Sequence, residues 1–299
     1  MKGIVMCGGS GSRLSPSTVA MTKHLLPVYD KPMVYYSLSV PMLAGIRDIL
    51  LVCRSRDLEA LQRLLGDGSA FGLSLSYALQ EHPGGIAEAL LVGEKFLGGE
   101  PCCLILGDNL FYGDGLRPML RDAATLTSGC LLFGYRVARA EEFGVIEFAD
   151  DGCTPLRIIE KPLRPPSTTA VTGLYFYDGE ASAASRELTP SSRGELEITA
   201  LNNRYLEAGS ARLETLGRGI AWLDTGTPDS LLSAGHFVQT IQQRQGQSIA
   251  CLEEIALGNG WIDREAVART AERLRASPYG QHLYSLIDLP SSRNAVTSS

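Results

Sequence analysis

The chain has 299 residues, enough for one large α/β domain or two domains, and its 44% hydrophobic and 20% charged residues are an ordinary globular composition. The net charge of −6 leaves no basic face for a nucleic-acid backbone, which excludes nucleic acid as a partner. No run reaches the ~18 apolar residues of a membrane span and no signal peptide is evident, so the composition predicts a cytoplasmic protein without a membrane partner.

The first predicted element is an apolar strand from Lys2 to Cys7, and a glycine-rich turn from Gly8 to Leu14 follows it directly. Glycine lets the backbone approach an anion without side-chain clashes, and the free N–H groups of such a turn, helped by the dipole of a following helix, attract phosphate. Nearby cations would neutralise its charge, Arg13 as a planar fork and Lys23 as a point charge. The turn therefore predicts a nucleotide triphosphate site made of Gly8, Gly9, Gly11, Ser12, Arg13 and Lys23.

This turn differs from the two common phosphate-binding loops. No Gly-Lys-Ser/Thr follows at the spacing of a Walker loop, and Leu14 stands where the dinucleotide fingerprint has its third glycine. Both of those loop classes are therefore excluded. A tight connection without a ligand is the alternative that the turn by itself leaves open.

Strands and helices alternate through the rest of the first half of the chain. The strands are predicted at residues 48–53, 74–79 and 102–106, and the helices between them at 57–65 and 86–97. Near-continuous apolar strands separated by helices indicate a parallel sheet that is covered on both faces. Pro41 lies in a helical stretch from 32 to 44, where we expect a kink or a break.

From about residue 129 the pattern changes to closely spaced strands, at 129–137, 144–148, 155–159 and 170–177, and helices return at 194–208 and 228–245. These strands predict an inserted, smaller, partly antiparallel sheet. The predicted fold is a Rossmann-like α/β fold with a mixed, mainly parallel sheet flanked by helices. The predicted divisions are an α/β domain at 1–249 that contains the inserted part at about 129–225, a helical segment at 250–290 and a disordered tail at 291–299.

Two aspartates each follow a short apolar strand, at the position where open α/β sheets place their ligands. Asp108 comes after Leu104-Ile105-Leu106-Gly107, and Asp224 comes after Trp222-Leu223. Magnesium prefers oxygen ligands, usually one or two carboxylates completed by substrate phosphates and water. These aspartates could supply the two carboxylates, but taken alone each is more simply explained as a helix cap or a turn residue.

Between these aspartates lie two cations, Lys161 and Arg193, close in sequence to strands of the predicted inserted sheet. A phosphate monoester carries about two negative charges at neutral pH, which two cations could hold. Taken alone, both are more simply explained as surface charges. Earlier in the chain, Gln80 ends a strand before the turn that reaches Gly85, and its amide could pair with a pyrimidine edge or merely end the strand.

Several of these segments together resemble the sugar-1-phosphate nucleotidyltransferases, specifically the glucose-1-phosphate thymidylyltransferases. The glycine-rich turn followed by Lys23-His24-Leu25-Leu26-Pro27 is similar to the family's signature. Gly107-Asp108-Asn109-Leu110 and Trp222-Leu223-Asp224-Thr225-Gly226-Thr227 are similar to its metal-site segments and stand in the same chain order. The resemblance covers roughly residues 1–287.

The resemblance implies an activity and a set of residue roles. The activity is Mg²⁺-dependent transfer of a thymidylyl group from dTTP to glucose 1-phosphate, giving dTDP-glucose and pyrophosphate, the first step of dTDP-deoxysugar (for example rhamnose-type) biosynthesis. The implied catalytic residues are Arg13, Lys23, Asp108, Lys161 and Asp224, of which Asp108 and Asp224 hold the metal. The implied binding residues are Gln80 and Gly85 for the base, Lys161 and Arg193 for the sugar phosphate, and Gly144, Glu160 and Val171 for the sugar. The inserted part at about 129–225 is thereby implied to be the sugar-binding part. A homotetramer and a regulatory nucleotide site formed partly by the C-terminal helices are also implied.

Several positions depart from the family's pattern. His24 stands where glutamine is common, and Gly84 stands where an acidic or other polar residue is typical, so uridylyl transfer stays an alternative. Ala200 stands where aspartate is usual. Gly258 stands where the regulatory site often has an arginine, and Pro118 lies in another stretch of that site that differs, so feedback inhibition is the implied property least expected to hold for this chain. Another hexose 1-phosphate is a further alternative, and so is a non-catalytic homologue that binds a nucleotide sugar. The presence of every implied catalytic charge argues against the non-catalytic homologue.

Overall fold

The computed structural model describes residues 1–288, which form an α/β fold; the predicted tail at 291–299 lies outside this range. Its strands are β1 (Lys2–Met6), β2 (Pro27–Val28), β3 (Lys31–Pro32), β4 (Asp48–Cys53), β5 (Ser74–Leu79), β6 (Cys102–Leu106), β7 (Asn109–Gly113), β8 (Cys130–Arg136), β9 (Gly144–Phe148), β10 (Pro155–Glu160), β11 (Thr169–Tyr177), β12 (Ala211–Thr215) and β13 (Ile220–Asp224). Its α-helices are α1 (Met33–Ala44), α2 (Ser55–Leu65), α3 (Glu88–Val92), α4 (Glu94–Leu97), α5 (Leu116–Ala123), α6 (Ala181–Arg186), α7 (Ile198–Glu207), α8 (Pro228–Gln245), α9 (Leu252–Gly258), α10 (Arg264–Arg273) and α11 (Pro278–Asp288). Within this range no helix combines the length and apolarity that crossing a membrane requires.

A mixed sheet forms the centre of the molecule, with the strand order β10-β9-β11-β6-β1-β4-β5 and with β8 and β12 attached through β11. Strands β5, β4, β1 and β6 run parallel, as their apolar sequences predict. Alternate residues of these strands enter cores on opposite faces of the sheet, Val5 on one side and Ile4 on the other. The predicted mixed α/β sheet is therefore confirmed.

The strands of the second half continue this central sheet, where the sequence predicted an inserted smaller one. Strand β11 explains the continuity, because its nine residues are all buried and it pairs with β6, β8 and β9, antiparallel to each. A strand of this length has room for several partners. The partly antiparallel character expected here is present, and the predicted sugar-binding part extends the same sheet.

Two helices differ from their predictions. The predicted helix at 86–97 is divided at Gly93 into α3 and α4; a side chain at Gly93 would come within 2.9 Å of the Ile4 side chain, so this position packs tightly on β1. The break expected at Pro41 is wrong, because α1 runs unbroken from Met33 to Ala44. Pro41 lies in the last turn of α1, where its missing N–H removes one hydrogen bond, to the Ser37 carbonyl, and its own carbonyl accepts a hydrogen bond from the Ile46 N–H.

Candidate active site

The carboxyl ends of the parallel strands meet at one edge of the sheet, where a cavity of about 330 Å³ opens. The glycine-rich turn leaves β1 there, Gln80 follows β5, and Asp108 follows β6. Most of the predicted site residues line this cavity: Gly9, Arg13, Gln80, Gly85, Asp108, Gly144, Glu160, Lys161, Val171, Arg193 and Asp224. The other four predicted residues, Gly8, Gly11, Ser12 and Lys23, are not among those that line it.

A two-stranded antiparallel ribbon, β7 with β13, brings the two predicted metal ligands together. Its register pairs Asn109 with Asp224, so the residue that follows Asp108 lies opposite the second aspartate. Thr225 adds a further link, since its N–H and its hydroxyl both donate to the carbonyl of Asp108, at 3.0 and 2.7 Å. Two carboxylates that are remote in sequence therefore face one cavity.

Lys23 does not line the cavity but forms an ion pair with the carboxylate of Asp108, which does. Burial, the largest influence, would raise the pKa of this carboxyl. The charge of Lys23, together with the hydrogen bonds from Lys23 and Asn109, nevertheless lowers it to about 2. Asp108 is therefore an ionised oxygen donor at neutral pH.

The pKa of Asp224 moves in the opposite direction. Burial raises it most, and the neighbouring Asp108 carboxylate raises it further. The opposing influences are the Gly226 N–H, which donates to Asp224 Oδ1 at 2.8 Å, and the charges of Arg13 and Lys23. Two carboxylates that repel each other beside a cavity are the oxygen donors that a divalent cation prefers. The residues present therefore fit a magnesium-type ion.

Asn109 belongs to this arrangement although the sequence interpretation gave it no role. Its Nδ2 donates to Asp108 Oδ1 at 3.0 Å, and its Oδ1 accepts from Trp222 Nε1 at 2.6 Å and from the Gly173 N–H at 3.2 Å. Asn109 thus holds the first aspartate against two other strands. Its place in the Asp-Asn pair was the one available signal, and the partners that define its role come from β11 and β13.

The glycine-rich turn has the conformation that its sequence predicts. Gly9 and Gly11 have φ values of 96° and 63°, which favour glycine, and Gly9 lines the cavity. The helix expected after the turn is a single 3-10 turn, Ser12–Leu14, too short to supply a sizeable dipole. The Arg13 side chain lies against Gly226, where an added Cβ would come within 2.7 Å of Arg13 Nη2 and 2.9 Å of Asp224 Oδ1.

Two cations stand at the rim of the cavity, each beside carboxylates. Lys161 has a φ of 45°, a strained value for a non-glycine residue, and its Nζ lies 3.7 Å from Glu160 Oε1. Arg193 Nη2 lies 2.8 Å from Glu197 Oε1 and 3.4 Å from Glu195 Oε2. Both side chains are about half exposed, so they could exchange a carboxylate for a substrate phosphate.

The remaining predicted sugar residues lie close to these cations. Glu160 Oε2 accepts a hydrogen bond from the Thr199 hydroxyl at 2.8 Å, and a Cβ added at Gly144 would approach this oxygen to 3.1 Å. The pairing of β11 with β8 is irregular between Val171 and Tyr175, which releases backbone groups from the ladder beside the cavity. Polar groups therefore surround this end of the cavity.

Two residues that differ from the family's pattern and bear on the choice of nucleotide, His24 and Gly84, have different surroundings. His24 is fully buried and is not among the residues lining the cavity. Gly84 also lies off the cavity wall, but it belongs to the loop that carries Gly85. Gln80 is nearly buried, and its Nε2 donates to the Gly85 carbonyl at 3.0 Å and to the Glu88 carboxylate.

A glycine-rich turn with a cation, and two carboxylates beside the same cavity at the carboxyl ends of the parallel strands, are the groups expected of an enzyme that acts on nucleotides. A family model described as nucleotidyl transferase matches residues 2–241, and the chain belongs to that family. The glucose-1-phosphate thymidylyltransferase of Neisseria gonorrhoeae is 55% identical over 287 residues, which cover 96% of this chain and 99% of that protein. The protein of the same name from Xanthomonas campestris pv. campestris (strain B100) is 54% identical over 285 residues, covering 95% and 96%.

Solved structures agree with this assignment. A Bacillus anthracis protein in complex with a sucrose, provisionally assigned as a glucose-1-phosphate thymidylyltransferase, is 39% identical with a TM-score of 0.74 over 79% of this chain and 94% of that one. A UDP-glucose pyrophosphorylase complexed with UDP-glucose shares the fold, with 23% identity and a TM-score of 0.70 over 80% of this chain and 98% of that one. The predicted resemblance, fold class and enzyme class are confirmed.

Proposed function

We propose that the protein transfers a thymidylyl group from dTTP to glucose 1-phosphate, releasing pyrophosphate. The observation that carries this proposal is that one cavity brings together Arg13, Asp108, Lys161, Arg193 and Asp224. Relatives that are 47–55% identical over nearly their whole length are named for this reaction. Their names support the choice of dTTP and glucose 1-phosphate.

The two anionic substrates would occupy different parts of the cavity. The triphosphate would lie against the glycine-rich turn and Arg13, where backbone N–H groups and a guanidinium are available. The sugar phosphate would replace the carboxylates that now neighbour Lys161 and Arg193. Gly144, Glu160 and the backbone of Val171 would then contact the sugar hydroxyls.

The reaction is an in-line displacement at phosphorus. A phosphate oxygen of glucose 1-phosphate forms a bond to the α-phosphorus of dTTP while the bond to the departing pyrophosphate breaks. The attacking oxygen is already ionised, so no general base is needed, and positioning and charge neutralisation supply the rate. Asp108 and Asp224 would hold a divalent ion, which we propose is Mg²⁺ and which, when bound, stabilises negative charge on phosphate oxygens as a Lewis acid.

Lys23 has a supporting position in this scheme. Its ammonium is paired with Asp108, so it helps to keep that carboxylate ionised and in place. We further propose that the Lys23 ammonium stabilises the negative charge of the departing pyrophosphate. The first role follows from the contact in the structure, and the second from the resemblance.

The test is release of pyrophosphate in mixtures of protein, glucose 1-phosphate and Mg²⁺ with dTTP or with each ribonucleoside triphosphate. Turnover should be fastest with dTTP and should stop with a chelator. A preference for UTP, or release from another hexose 1-phosphate alone, would replace the proposed substrates with the alternatives. No release from any mixture would leave only nucleotide-sugar binding.

One variant tests the metal ligands directly. Asp108→Asn should lower Mg²⁺-dependent turnover by at least about 100-fold, because it removes a charge that acts on the transition state. Asp150→Asn, at an exposed aspartate away from the cavity, should have no effect. If Asp108→Asn retained near-normal turnover with the fold intact, Asp108 would not hold the metal.

We further propose a cytoplasmic homotetramer. We propose the cytoplasm because dTTP and sugar phosphates are available there. The tetrameric state is implied by the resemblance to the family. Light scattering of the purified protein should give four times the mass of one 32.2 kDa chain. A stable monomer that is fully active would contradict the tetramer.

A further inference from the structure

The side-chain amide of Gln80 has only one orientation that satisfies its neighbours. Its Nε2 faces the Gly85 carbonyl at 3.0 Å and the Glu88 carboxylate, and both of these groups can only accept hydrogen bonds when Glu88 is ionised. The amide nitrogen must therefore point toward them. The oxygen Oε1 must point the other way, toward the glycine-rich turn, where a Cβ added at Gly8 would lie 3.1 Å from it.

Within residues 1–288 no hydrogen bond ends on this oxygen, so it is available to a ligand. Gln80 is 6% exposed and lines the active-site cavity. An acceptor in the cavity wall that has no protein donor can accept from a ligand that brings an N–H group. The ring N–H of a thymine or uracil base is such a group.

Glu88 holds this orientation from outside the cavity. It is the first residue of α3 and is half-buried, and it is not among the residues that line the cavity. Gly84 makes room for it, because a Cβ at Gly84 would lie only 2.1 to 2.4 Å from the atoms of the Glu88 carboxylate. The small residue at position 84 and the acid at position 88 are therefore coupled.

We propose that Glu88 is a positioning residue that fixes the Gln80 amide with its oxygen toward the nucleobase and so selects bases with a ring N–H, thymine or uracil, against cytosine. The proposal rests on the proposed function, since it takes the nucleotide of that reaction to lie beside Gln80. Thymine and uracil both carry an N–H at N3, to which Oε1 can accept. Cytosine carries a lone pair at N3, so two acceptors would face each other.

Loss of the Glu88 carboxylate removes one of the two acceptors that hold the amide nitrogen. The Gln80 amide could then turn and present its NH₂ group to cytosine, with only the Gly85 carbonyl opposing the rotation. Selection against cytosine should weaken while the reaction itself continues. The fixed orientation of the Gln80 amide does not distinguish thymine from uracil, because the two bases share this edge.

The experiment measures kcat/KM for dTTP and for dCTP in the pyrophosphate assay and compares their ratio among variants. Glu88→Leu removes the acceptor, and Gly84→Ala displaces the carboxylate by steric overlap; each should lower the dTTP/dCTP ratio by about tenfold. Glu88→Gln, whose side-chain oxygen can still accept, should keep most of the ratio. Glu81→Ala, at an exposed acid of the same loop that contacts Ser55, is the control and should leave the ratio unchanged.

The outcomes separate the proposal from simpler roles. A Glu88→Leu protein with normal melting temperature and an unchanged ratio would overturn the proposal, and so would an equal loss of activity with both nucleotides. If Gly84→Ala does not fold, Glu88→Leu and its rescue by Glu88→Gln still decide the matter. A wild-type protein without dTTP turnover would refute the proposed function itself, before any variant is compared.

Discussion

His24, next to the cation that pairs with Asp108, is fully buried as a neutral imidazole. Its Nδ1 lies 2.9 Å from the Thr22 hydroxyl, while its Nε2 has no partner among the described residues. Burial, followed by the charge of Lys23, lowers the pKa of His24 to about 3, and Asp108 opposes this only weakly. A protonated imidazole would be a second cation next to Lys23, so repulsion between the two charges adds to the cost of protonating His24.

We expect His24 to make the protein sensitive to acid. The pKa of histidine is about 6.5 in the unfolded chain and about 3 here, so the stability it contributes is complete above pH 6.5 and is lost as the pH falls toward 3. The loss should approach about 1.4 kcal/mol per pH unit within that window. His24→Gln should remove this part of the pH dependence, measured by urea unfolding at pH 7 and pH 5.

His236→Gln is the matched control for that measurement, because His236 is exposed on α8. Its unfolding free energy should follow the wild-type pH dependence. The same dependence in His24→Gln would show that His24 does not carry the predicted proton linkage.

At the level of elements, the ribbon of β7 with β13 and the irregular stretch of β11 act as one support for the site. Gly173, within that stretch, is close enough that an added Cβ would lie 2.7 Å from Asn109 Oδ1. The indole N–H of Trp222 on β13 reaches the same oxygen. Three strands therefore meet at Asn109, and through it they orient Asp108.

Asn109→Ala should lower Mg²⁺ affinity or activity roughly 10–100-fold, as is usual when a group that orients a metal ligand is removed. The check is a titration of pyrophosphate release against Mg²⁺ concentration. Asn259→Ala is the control, since Asn259 also makes side-chain hydrogen bonds, to Arg117, Arg121 and the Met42 carbonyl, but lies off the cavity. An Asn109→Ala protein with wild-type Mg²⁺ dependence would limit Asn109 to a structural role.

On the scale of the whole molecule, the C-terminal helices α9, α10 and α11 are joined to the α/β core through α1. Leu252 of α9 belongs to the main core, and the ring of Tyr279 packs edge-on against Tyr35 of α1 with 6.3 Å between centroids. The Tyr279 hydroxyl donates to the carboxylate of Glu253, which is 2% exposed. Burial raises the pKa of Glu253, so this hydrogen bond stabilises a costly group.

Tyr279→Phe should lower the free energy of unfolding by about 1–3 kcal/mol, because the buried Glu253 carboxylate loses its tyrosine donor. Turnover at moderate temperature should be unchanged, since Tyr279 is remote from the residues that line the active-site cavity. Tyr284→Phe is the control, because the hydrogen bond that the Tyr284 hydroxyl donates to Glu272 is exposed to solvent; its melting temperature should remain that of the wild type. Equal stability of both variants would mean that the buried pair contributes nothing.

Much of this architecture was predictable because it depends on neighbours in sequence. The strand bounds at 48–53, 74–79 and 102–106 were predicted as they are observed, since apolar runs bounded by turn residues are a local signal. The helix at 86–97 was predicted as one element, whereas the structure divides it at Gly93, which lies close to Ile4, a contact between distant residues that no local pattern reveals. Continuity of the sheet through β11 likewise depends on strand pairing between distant segments.

The sequence by itself determined which chemical groups are available and in what order: a glycine turn with Arg13, two aspartates after apolar strands, and cations between them. The tertiary structure alone decided which partners these groups have, such as the pairing of Lys23 with Asp108, 85 residues apart, and of Asn109 with Trp222, 113 residues apart. Strand conformation and turn chemistry are dictated by adjacent residues. Hydrogen bonds between distant side chains depend on register and rotamer, and these are settled only when the elements pack.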